Sequence, residues 1–564
     1  MIDCLLVGFN DPEFEPYVKL LRLMGGAESG AYRDLRLAFV EHEGKPWRAL
    51  EILSRFHAEA HPDDTDHLHN ADFLWPVITY LGTYLDRRGF TFDYVNLFHL
   101  EKEKLRQKLQ SDEVLTVAVT TTLYVTAEPI REIVEFVRTC NEDVKIVIGG
   151  PYVANQVKTM DASGLQVLFD SLDGDLFVVG PREGEAALAG ALAAMKSGRS
   201  LETVPNLAYR DGGTFRFTAA EVESNPLEDN LVDYSLFPTA DINHFVTTRT
   251  AKSCPFSCAF CGFPLRSGRY TYLSVADVER ELDNIAGVGT VSTITFLDDT
   301  FNVPKRRFRE ILEMMIRNEY GFSWNSFYRS DHGDPATIEL MREAGCEGVF
   351  LGIESGSDEM LERMNKASRR RDYLEALEVF NRTGIQTYAS LILGFPGETE
   401  ETIAATVSLI EEGRPTFYRM QLWYCDPITP IWERRDELGI TGSAFNWSHD
   451  TMDWRTACEH IERIFCEERE SIWLPQMGFE QWATFYLQRR GMPFDQVKAF
   501  VRSFNAIVAE QIRDPGAREI PPPLLADLKA TCDFELRTLR DAGGRPAPDA
   551  IVGGDVVASN AVER

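Results

Sequence analysis

Short apolar runs alternate with amphipathic stretches through the middle of this chain, and no other feature limits its fold so narrowly. One amphipathic stretch begins with a capping box formed by Ser274 and Asp277, and two others begin at Pro304 and Pro335, which are residue types that favour helix starts. The six apolar runs of strand length are FVTTRT (245–250), STITFL (292–297), FSWNSFY (322–328), GVFLGI (348–353), TYASLIL (387–393) and YRMQLWY (418–424). Because strands that alternate with helices form a parallel sheet, the sequence predicts an α/β fold.

The first third of the chain repeats strand, loop and helix in a similar way. This order predicts an open, doubly wound, Rossmann-like sheet, in which ligands bind at the loops that follow the strands. Taken alone, the pattern names no ligand. The loop residues predicted to line this edge are Thr120, Thr121, Thr122, Leu123 and Tyr124 after one strand, Gly149, Gly150 and Pro151 after the next, and Gly180, Pro181 and Glu183 after a third.

Three cysteines, Cys254, Cys258 and Cys261, stand within eight positions of a chain that has only 10 cysteines. Chance would place such a C-x-x-x-C-x-x-C frame about 0.003 times in a chain of this length, so the spacing is informative. An odd number of close thiols does not suit disulfides, and structural zinc would want a fourth Cys or His nearby. Three thiolates leave one iron of a cubane cluster without a protein ligand. The pattern therefore favours an iron–sulfur cluster with an open iron over zinc or coincidence.

This cysteine motif, with Phe260 just before its last cysteine, resembles the signature of the radical S-adenosylmethionine (SAM) enzymes. The resemblance implies that the three cysteines hold a 4Fe–4S cluster, that SAM chelates the open iron, and that one electron splits SAM to a 5′-deoxyadenosyl radical. It also implies that the six β–α units form a partial (β/α)6 barrel. Since the active site of such a barrel lies at the carboxyl ends of its strands, functional residues should follow the apolar runs.

Polar residues do follow those runs, and the resemblance gives them roles. Asp298 or Asp299 would accept hydrogen bonds from the SAM ammonium group, Arg329 would bind its carboxylate, and Glu354 would contact its ribose and methionine part. With the three cysteines, Arg329 and Glu354 are the candidate catalytic residues. Structural alternatives are that the aspartates cap the next helix, that Arg329 forms a surface ion pair, and that Thr399 caps an ordinary turn. The full predicted SAM set is Phe260, Asp298, Asp299, Arg329, Glu354, Ser355, Gly394, Phe395 and Pro396.

In front of such a barrel, the GGP at 149–151 followed by DLFVVG and EGE resembles the cobalamin-binding domain of the B12-dependent radical SAM enzymes. The three loops of the first sheet would then bind the corrin. The resemblance implies methylcobalamin with its own base displaced and with no histidine on cobalt. The D-x-H-x-x-G motif that supplies an axial histidine in other B12 proteins is absent from the sequence. His67 and His69 are accordingly interpreted as surface or loop residues.

The stretches CLLVGFND, SGAYRDLRLAF and EGKPWRALEIL resemble the PhpK-type P-methyltransferases, a branch of these enzymes. The resemblance implies radical methylation of an unactivated position, the phosphorus of a phosphinate or a carbon, with methylcobalamin as the methyl donor. The substrate would be a small-molecule or peptide natural-product precursor, and the electron donor an external flavodoxin- or ferredoxin-like protein. Polar methylation of an aromatic ring such as indole, oxidative cyclisation, and a protein that only transfers electrons stay open as alternatives.

Charge and composition limit which partners and which cellular location the sequence predicts. A net charge of −30 disfavours a nucleic-acid partner, because such a partner requires a basic surface. No uninterrupted apolar stretch approaches the length of a membrane span. The first residues lack the basic and apolar regions of a signal peptide, which predicts a cytoplasmic protein with reduced thiols.

The predicted domain order begins with a cobalamin-binding domain at 1–215 and a linker at 216–242, which is rich in Pro, Asp and Asn. A radical SAM barrel at 243–440 and a helical substrate or cap domain at 441–542 follow. Residues 543–564 have no face to bury and are predicted to be disordered. The aromatic residues interpreted as the core of the helical domain, with the lining of a substrate roof as the alternative, are Trp454, Trp473, Trp482 and Phe485.

Overall fold

A computed structural model describes residues 1–26, 28–64, 68, 73–111, 113–467 and 469–537. His67, His69 and the tail at 543–564 lie outside these residues. The described part contains two seven-stranded sheets and three small ones. None of its helices is long and apolar enough to cross a membrane.

The N-terminal part alternates strands and helices, as predicted. Its elements in chain order are β1 (Cys4–Phe9), α1 (Phe14–Gly25), α2 (Gly30–Leu35), β2 (Phe39–His42), β3 (Lys45–Arg48), α3 (Ala49–Ala60), α4 (Pro76–Asp86), β4 (Phe92–Leu97), α5 (Lys102–Ser111), β5 (Thr116–Thr120), α6 (Glu128–Cys140), β6 (Lys145–Gly149), α7 (Pro151–Thr159), α8 (Ala162–Leu172), β7 (Leu176–Val178), α9 (Glu185–Ser197), β8 (Leu207–Asp211) and β9 (Thr214–Phe217). Strands β4, β1, β5, β6 and β7 pair in parallel in that order, and the antiparallel β8 and β9 extend the sheet beyond β7. Residues 4–7 of β1 are fully buried, which explains an apolar run without alternation.

The barrel occupies the middle of the chain. Its elements are α10 (Thr239–Ile242), β10 (Phe245–Thr248), β11 (Ala251–Lys252), α11 (Phe263–Ser267), β12 (Thr271–Tyr272), α12 (Val275–Val288), β13 (Thr293–Phe296), α13 (Lys305–Arg317), β14 (Ser323–Tyr328), α14 (Pro335–Glu343), β15 (Cys346–Glu354), α15 (Asp358–Arg363), α16 (Arg370–Thr383), β16 (Gln386–Leu393), α17 (Glu400–Gly413) and β17 (Phe417–Leu422). All six predicted strands are present. Strands β10, β13, β14, β15, β16 and β17 pair in parallel in sequence order, the order that strands follow around a (β/α) barrel.

Helix starts in the barrel follow the sequence signals. Ser274 caps α12 through a capping box with Asp277, and Pro335 is the first residue of α14. Pro304 stands one position earlier than predicted, as the residue that precedes α13. Proline serves in both places because neither position needs a backbone N–H for the helix.

The C-terminal part is helical but begins with strands. Its elements are β18 (Thr441–Ser443), β19 (Asn446–His449), β20 (Met452–Asp453), α18 (Trp454–Cys466), β21 (Ile472–Trp473), α19 (Gln481–Arg489), α20 (Phe494–Arg513) and α21 (Pro522–Thr531). Strand β21 pairs in parallel with β17 and becomes the seventh strand of the barrel sheet. Trp473 is therefore a barrel residue as well as a core residue.

The helix α19 lies at the end of the barrel where the strands begin. The ring of Tyr486 is 5.9 Å from that of Phe245 at the start of β10, and the Gln481 amide donates to the Gln386 carbonyl at the start of β16. This placement differs from a cap over the strand ends. Helix α19 therefore packs on the side of the barrel opposite the cysteines.

An excursion from the first sheet, residues 10–60, reaches the C-terminal part. It leaves β1, forms α1 to α3 with the antiparallel hairpin β2–β3, and packs against α18 and α20. In α2, the Arg33 guanidinium forms two hydrogen bonds with Glu462 of α18, at 2.8 and 2.7 Å. Both side chains are largely removed from water, so a nearly buried ion pair connects the excursion to α18.

Replacing one partner of this pair should destabilise the protein. For Glu462→Ala we expect about 3 kcal/mol less stability against urea, because Arg33 would keep a largely buried charge without its carboxylate. As the control, Glu15→Ala removes the ion pair that Glu15 forms with Lys19 at the surface. It should lower the free energy of unfolding by less than about 1 kcal/mol. Tryptophan fluorescence during urea unfolding measures both. Equal unfolding curves for the two variants would contradict the expectation.

Candidate active site

The three cysteines lie in one loop between β11 and α11, directly after the first barrel strand. All are free thiols with half-buried side chains. The loop folds back on itself, because the Cys261 N–H donates to the Cys258 carbonyl at 3.1 Å. Ser253 enters it with a φ of 66° and its hydroxyl donates to the Gly268 carbonyl at 2.7 Å. The loop thus holds its thiols at the carboxyl end of the strands.

The chemistry of the thiols fits a cationic cluster. Burial raises the pKa of Cys261 to about 11 and also raises the pKa of Cys254, and the charges of Cys258 and Asp299 act in the same direction. Thiols in this setting become thiolates when metal ions supply the opposing charge. Within the described residues, no three Cys, His, Asp or Glu side chains converge tightly enough for one metal ion. A cubane needs no such convergence, since each thiolate binds its own iron.

The two aspartates after β13 have different environments. Asp298 is only 3% exposed, and its carboxylate accepts hydrogen bonds from the Thr250 N–H at 2.8 Å and the Thr250 hydroxyl at 3.1 Å. Asp299 keeps an exposed carboxylate, although the surrounding protein displaces enough water to raise its pKa to about 7, with a contribution from the charge of Asp298. Helix α13 has no side-chain cap, so the capping alternative is wrong for both. Asp299 is the one placed to meet a ligand.

Arg329 ends β14 beside the cysteine loop. Its guanidinium donates two hydrogen bonds to Asp331, at 3.0 and 2.9 Å, and lies 3.6 Å from the centre of the Phe256 ring. Burial opposes the charge of Arg329, but the hydrogen bonds and the charge of Asp331 raise its pKa. The side chain is 9% exposed, so the surface-ion-pair alternative is wrong. Three of its five N–H donors stay available for an anionic group.

Glu354 ends β15 at an irregularity in its pairing with β16 and has a φ of 64°. Its carboxylate accepts a hydrogen bond from the Lys366 ammonium at 2.7 Å. Lys366 also donates to the Gly352 carbonyl and lies 5.9 Å from the centre of the Phe260 ring. Burial disfavours the charge of Lys366, but Glu354, Tyr373 and Cys258 together raise its pKa. A left-handed residue that is not glycine stores strain, which is typical of a residue held in place for function.

The remaining predicted SAM residues are packed into protein. The Ser355 hydroxyl lies 3.1 Å from the Thr406 hydroxyl. Gly394 has a φ of 92°, its N–H donates to Glu398 at 2.6 Å, and its carbonyl lies 3.0 Å from His449 Nε2. A left-handed backbone in this close contact requires glycine.

Phe395 and Pro396 are buried as well, and Phe395 packs edge-on against Trp423 at 5.5 Å between ring centres. The Thr399 hydroxyl accepts from the Thr402 N–H and caps α17, as the structural alternative predicted. This segment can therefore offer a ligand its backbone groups rather than its side chains.

The loop after β5 presents an apolar edge. Thr120 and Thr121 are buried, and Tyr124 is buried against Phe9, with ring centres 5.8 Å apart. Thr122 is half-buried, and Leu123 is 70% exposed with a φ of 68°. The outward face of this loop is thus formed by Thr122 and Leu123.

The next two loops are shaped by glycine. Gly150 has a φ of 116°, and a Cβ there would meet the Thr121 hydroxyl at 2.9 Å. A Cβ on Gly180 would meet the Glu183 carbonyl oxygen at 2.5 Å. Gly149 is half-buried, Gly150 and Pro151 are exposed, and Pro181 is half-buried. This edge exposes the backbone of Gly150 and the side chain of Leu123. Such a surface fits a flat ring such as a corrin.

The loop after β7 brings this edge to the cysteines. The Arg182 guanidinium lies against Gly268, where a Cβ would meet its Nη1 at 2.7 Å. Glu183 forms an ion pair of 2.5 Å with Lys252, which precedes Cys254 by two positions. Its carboxylate is therefore engaged with the barrel, and its contact with a corrin stays a prediction. The loops predicted to bind cobalamin and the cysteine loop predicted to bind the cluster nevertheless lie next to each other at this point.

Three charged residues of the site were not predicted: Lys252, Asp331 and Lys366. Asp331 follows Arg329 by two positions, and this spacing of opposite charges was a signal available in the sequence. Lys252 and Lys366 belong to no motif, and only the folded chain brings them to Glu183 and Glu354.

Removing one thiol should abolish the cluster. For Cys258→Ala we expect the iron and sulfide content, and the visible absorbance of the cluster, to fall to background after anaerobic reconstitution. Cys466→Ala is the matched control, since Cys466 is a half-buried free thiol outside the loop. A reconstituted Cys258→Ala protein with unchanged iron content would contradict the assignment.

Asp299 should make SAM binding depend on pH. Its raised pKa of about 7 means that the carboxylate ionises between pH 6 and 8, so affinity for the SAM ammonium group should rise about tenfold over that range. Asp299→Asn should remove the dependence and bind SAM weakly at both pH values. Equilibrium dialysis with labelled SAM measures the affinities. A wild-type affinity that does not change with pH would contradict this role.

The comparisons with known proteins agree with this geometry. Residues 249–410 match the Radical SAM superfamily. An uncharacterized methyltransferase of Pyrococcus horikoshii is 28% identical over 336 residues, which cover 58% of this chain and 70% of that relative. The anaerobic magnesium-protoporphyrin IX monomethyl ester cyclase of Cereibacter sphaeroides is 25% identical over 388 residues, covering 65% of this chain and 61% of the relative.

A solved structure shares the arrangement of sheet and barrel. The radical S-adenosylmethionine methyltransferase TsrM from Kitasatospora setae, with cobalamin and a [4Fe-4S] cluster bound, has a TM-score of 0.53 and 18% identity to this chain. The likeness covers 78% of this chain and 75% of TsrM. Residues 249–410, with the three-cysteine loop at the strand ends, therefore form a radical SAM domain, and the chain has a fold similar to that of TsrM.

Proposed function

We propose that this protein is a cobalamin-dependent radical SAM methyltransferase. It methylates an unactivated phosphorus or carbon atom of a small-molecule or peptide natural-product precursor. The observation that carries the proposal is the junction at which Glu183, from the loop after β7, pairs with Lys252 beside Cys254. This junction sets the exposed edge of a doubly wound sheet against a cysteine loop. A relative named as a methyltransferase and the cobalamin and cluster held by TsrM support it.

The chain would hold three groups: a 4Fe–4S cluster, SAM and methylcobalamin. When bound, they supply a 5′-deoxyadenosyl radical for hydrogen abstraction and a methyl group for transfer. The loops 120–124, 149–151 and 180–185 contain no histidine. Their composition supports a cobalamin with its own base displaced and no histidine on cobalt.

The residues of the chain hold and orient these groups. Cys254, Cys258 and Cys261 bind the cluster, and Asp299 and Arg329 lie on the same strand-end face with opposite charges. A carboxylate and a guanidinium on one face suit the ammonium and carboxylate groups of SAM. The remaining predicted contact, Glu354, is held in place by Lys366.

A radical route answers a chemical problem of the substrate. The methyl group of SAM is electrophilic, so its direct transfer requires a nucleophile, and a C–H carbon or a P–H phosphorus offers none. Helix α19 closes the opposite end of the barrel, which helps to keep water away from reactive species. The fold therefore suits chemistry that water would quench.

Oxidative cyclisation is the second candidate. The relative from Cereibacter sphaeroides is named as a cyclase and matches 65% of this chain. Polar methylation of an aromatic ring would use the same cofactors without a substrate radical. As part of the proposal, the protein acts in the cytoplasm with a flavodoxin- or ferredoxin-like electron donor and without a nucleic-acid partner.

Labelled SAM separates these functions. The anaerobically reconstituted holoprotein would be incubated with methyl-deuterated SAM, a reductant and an H-phosphinate peptide. Radical methylation predicts label on cobalamin, a labelled methyl group on the substrate and 5′-deoxyadenosine in similar amounts to the product. Cys258→Ala is the control and should give neither 5′-deoxyadenosine nor product.

Other outcomes contradict the proposal. Label on the product without 5′-deoxyadenosine would indicate polar methylation. With each of several candidate substrates, 5′-deoxyadenosine without label transfer would favour cyclisation. A holoprotein that retains no cobalamin would remove the methyltransferase proposal altogether.

A further inference from the structure

We propose that Lys252, Glu183 and Asn225 form an interdomain latch that fixes how far the doubly wound sheet stands from the cysteine loop. The three are positioning residues rather than catalytic ones. The role rests on the proposed function, because it concerns the distance between two cofactor sites, but the contacts themselves belong to the chain.

The latch joins three separate segments through one ammonium group. The Lys252 ammonium donates to the Glu183 carboxylate at 2.5 Å and to the Asn225 carbonyl at 2.5 Å. The Lys252 side chain is 11% exposed and that of Glu183 is 23% exposed. Lys252 belongs to β11 of the barrel, Glu183 to the loop after β7, and Asn225 to the segment after β9. A charge shielded in this way from water interacts more strongly than a surface pair.

The Asn225 side chain completes the arrangement. Its amide nitrogen donates to Glu183 at 2.9 Å and to Glu223 at 3.0 Å, and lies 3.3 Å from Glu185. Its amide oxygen accepts from the Tyr84 hydroxyl of α4 at 2.8 Å. One amide therefore gathers three carboxylates on the side of the first sheet.

Three carboxylates held this close together repel one another unless a cation balances their charge. Burial raises the pKa of Glu185, and the charge of Glu183 raises it further, while Arg249 and Lys252 counteract them. Both cations come from the barrel side, since Arg249 follows β10 and Lys252 ends β11. Without Lys252 the carboxylates would repel one another and lose their main link to the barrel.

A displacement at Lys252 would be transmitted to the cluster ligands. Only Ser253 separates Lys252 from Cys254, and its hydroxyl is bonded to the Gly268 carbonyl. The Arg182 guanidinium, next to Glu183, lies against the same Gly268. The strand is anchored on the other side by the bonds between Thr250 and Asp298. The latch therefore connects the first sheet to a rigid part of the cysteine loop.

The function of such a latch follows from the geometry of the transfer. Hydrogen abstraction and methyl delivery act on one substrate from two cofactors, so both must be placed correctly at once. A misplacement of about 1 Å can slow a reaction about a hundredfold. Loosening the latch should leave the formation of 5′-deoxyadenosine intact and reduce the fraction that leads to methylated product.

The test uses Lys252→Met in the full-length holoprotein, with Lys252→Arg as the conservative variant. Lys145→Met is the matched control, because Lys145 pairs with Asp175 at 3.2 Å at the amino-terminal end of β6, away from the loops that follow the strands. Two quantities are measured: methylated product per 5′-deoxyadenosine, and hydrogen–deuterium exchange of residues 180–185 and 253–262. Iron and cobalamin content are determined for every variant.

We expect Lys252→Met to lower the product ratio about tenfold and to accelerate exchange in both segments, with unchanged iron content. Lys252→Arg should restore both quantities to within about twofold of the wild type, and Lys145→Met should change neither. Wild-type values for Lys252→Met in both measurements would overturn the latch.

The latch can be tested even if the proposed function is wrong. If the wild-type protein forms no methylated product, exchange alone decides: unchanged exchange in Lys252→Met overturns the latch, and faster exchange confined to the two segments supports it. If Lys252→Met does not fold, Glu183→Gln takes its place, since it removes the charge and one of the two oxygen acceptors to which Lys252 and Asn225 donate. Wild-type exchange in Glu183→Gln would then overturn the proposal.

Discussion

The site depends on one buried arrangement, in which Asp298 and Arg307 hold the two ends of the segment that carries the cysteines. Asp298 accepts the Thr250 N–H and hydroxyl, and Arg307 donates to the Thr250 hydroxyl at 2.8 Å and to the Leu273 carbonyl at 2.7 Å. Burial raises the pKa of Asp298 to about 6, and the charge of Arg307 and the bonds from Thr250 counteract it. A buried charge is tolerated only when it is paired and hydrogen-bonded in this way. The loop between Thr250 and Leu273 is therefore fixed at both ends before any cluster is present.

Local pattern predicted the fold well because it reflects local physics. Each barrel strand begins and ends within about two residues of its apolar run, and the doubly wound sheet follows from the same rule. The position of the candidate site also follows from the pattern, since parallel strands bring their carboxyl ends to one edge. Asp299, Arg329 and Glu354 all lie there because each directly follows a strand.

Partners distant in sequence were not predictable. The sequence does not show that Asp298 is buried and hydrogen-bonded while Asp299 is exposed, because the difference depends on Thr250, 48 positions away. Glu183 was assigned to a cofactor because its loop follows a strand, whereas its carboxylate is occupied by Lys252. The position of α19 at the closed end of the barrel depends on contacts with the first residues of β10 and β16. A helical pattern specifies an apolar face but not the surface it will cover.

Two ion pairs help to connect the first sheet and its excursion to the barrel. Near the cysteines, Glu183 pairs with Lys252; on the other side, Asp34 of the excursion lies 3.3 Å from the Arg419 guanidinium of β17. Large apolar side chains stay exposed at loops that follow strands in both sheets: Leu123 and Val125 on the first sheet, and Leu297 and Tyr424 on the barrel. Exposed apolar side chains at strand ends are expected where ligands will bury them. Because these ion pairs already hold the first sheet and the barrel, a substrate that binds at such strand ends is not needed to bring the two parts together.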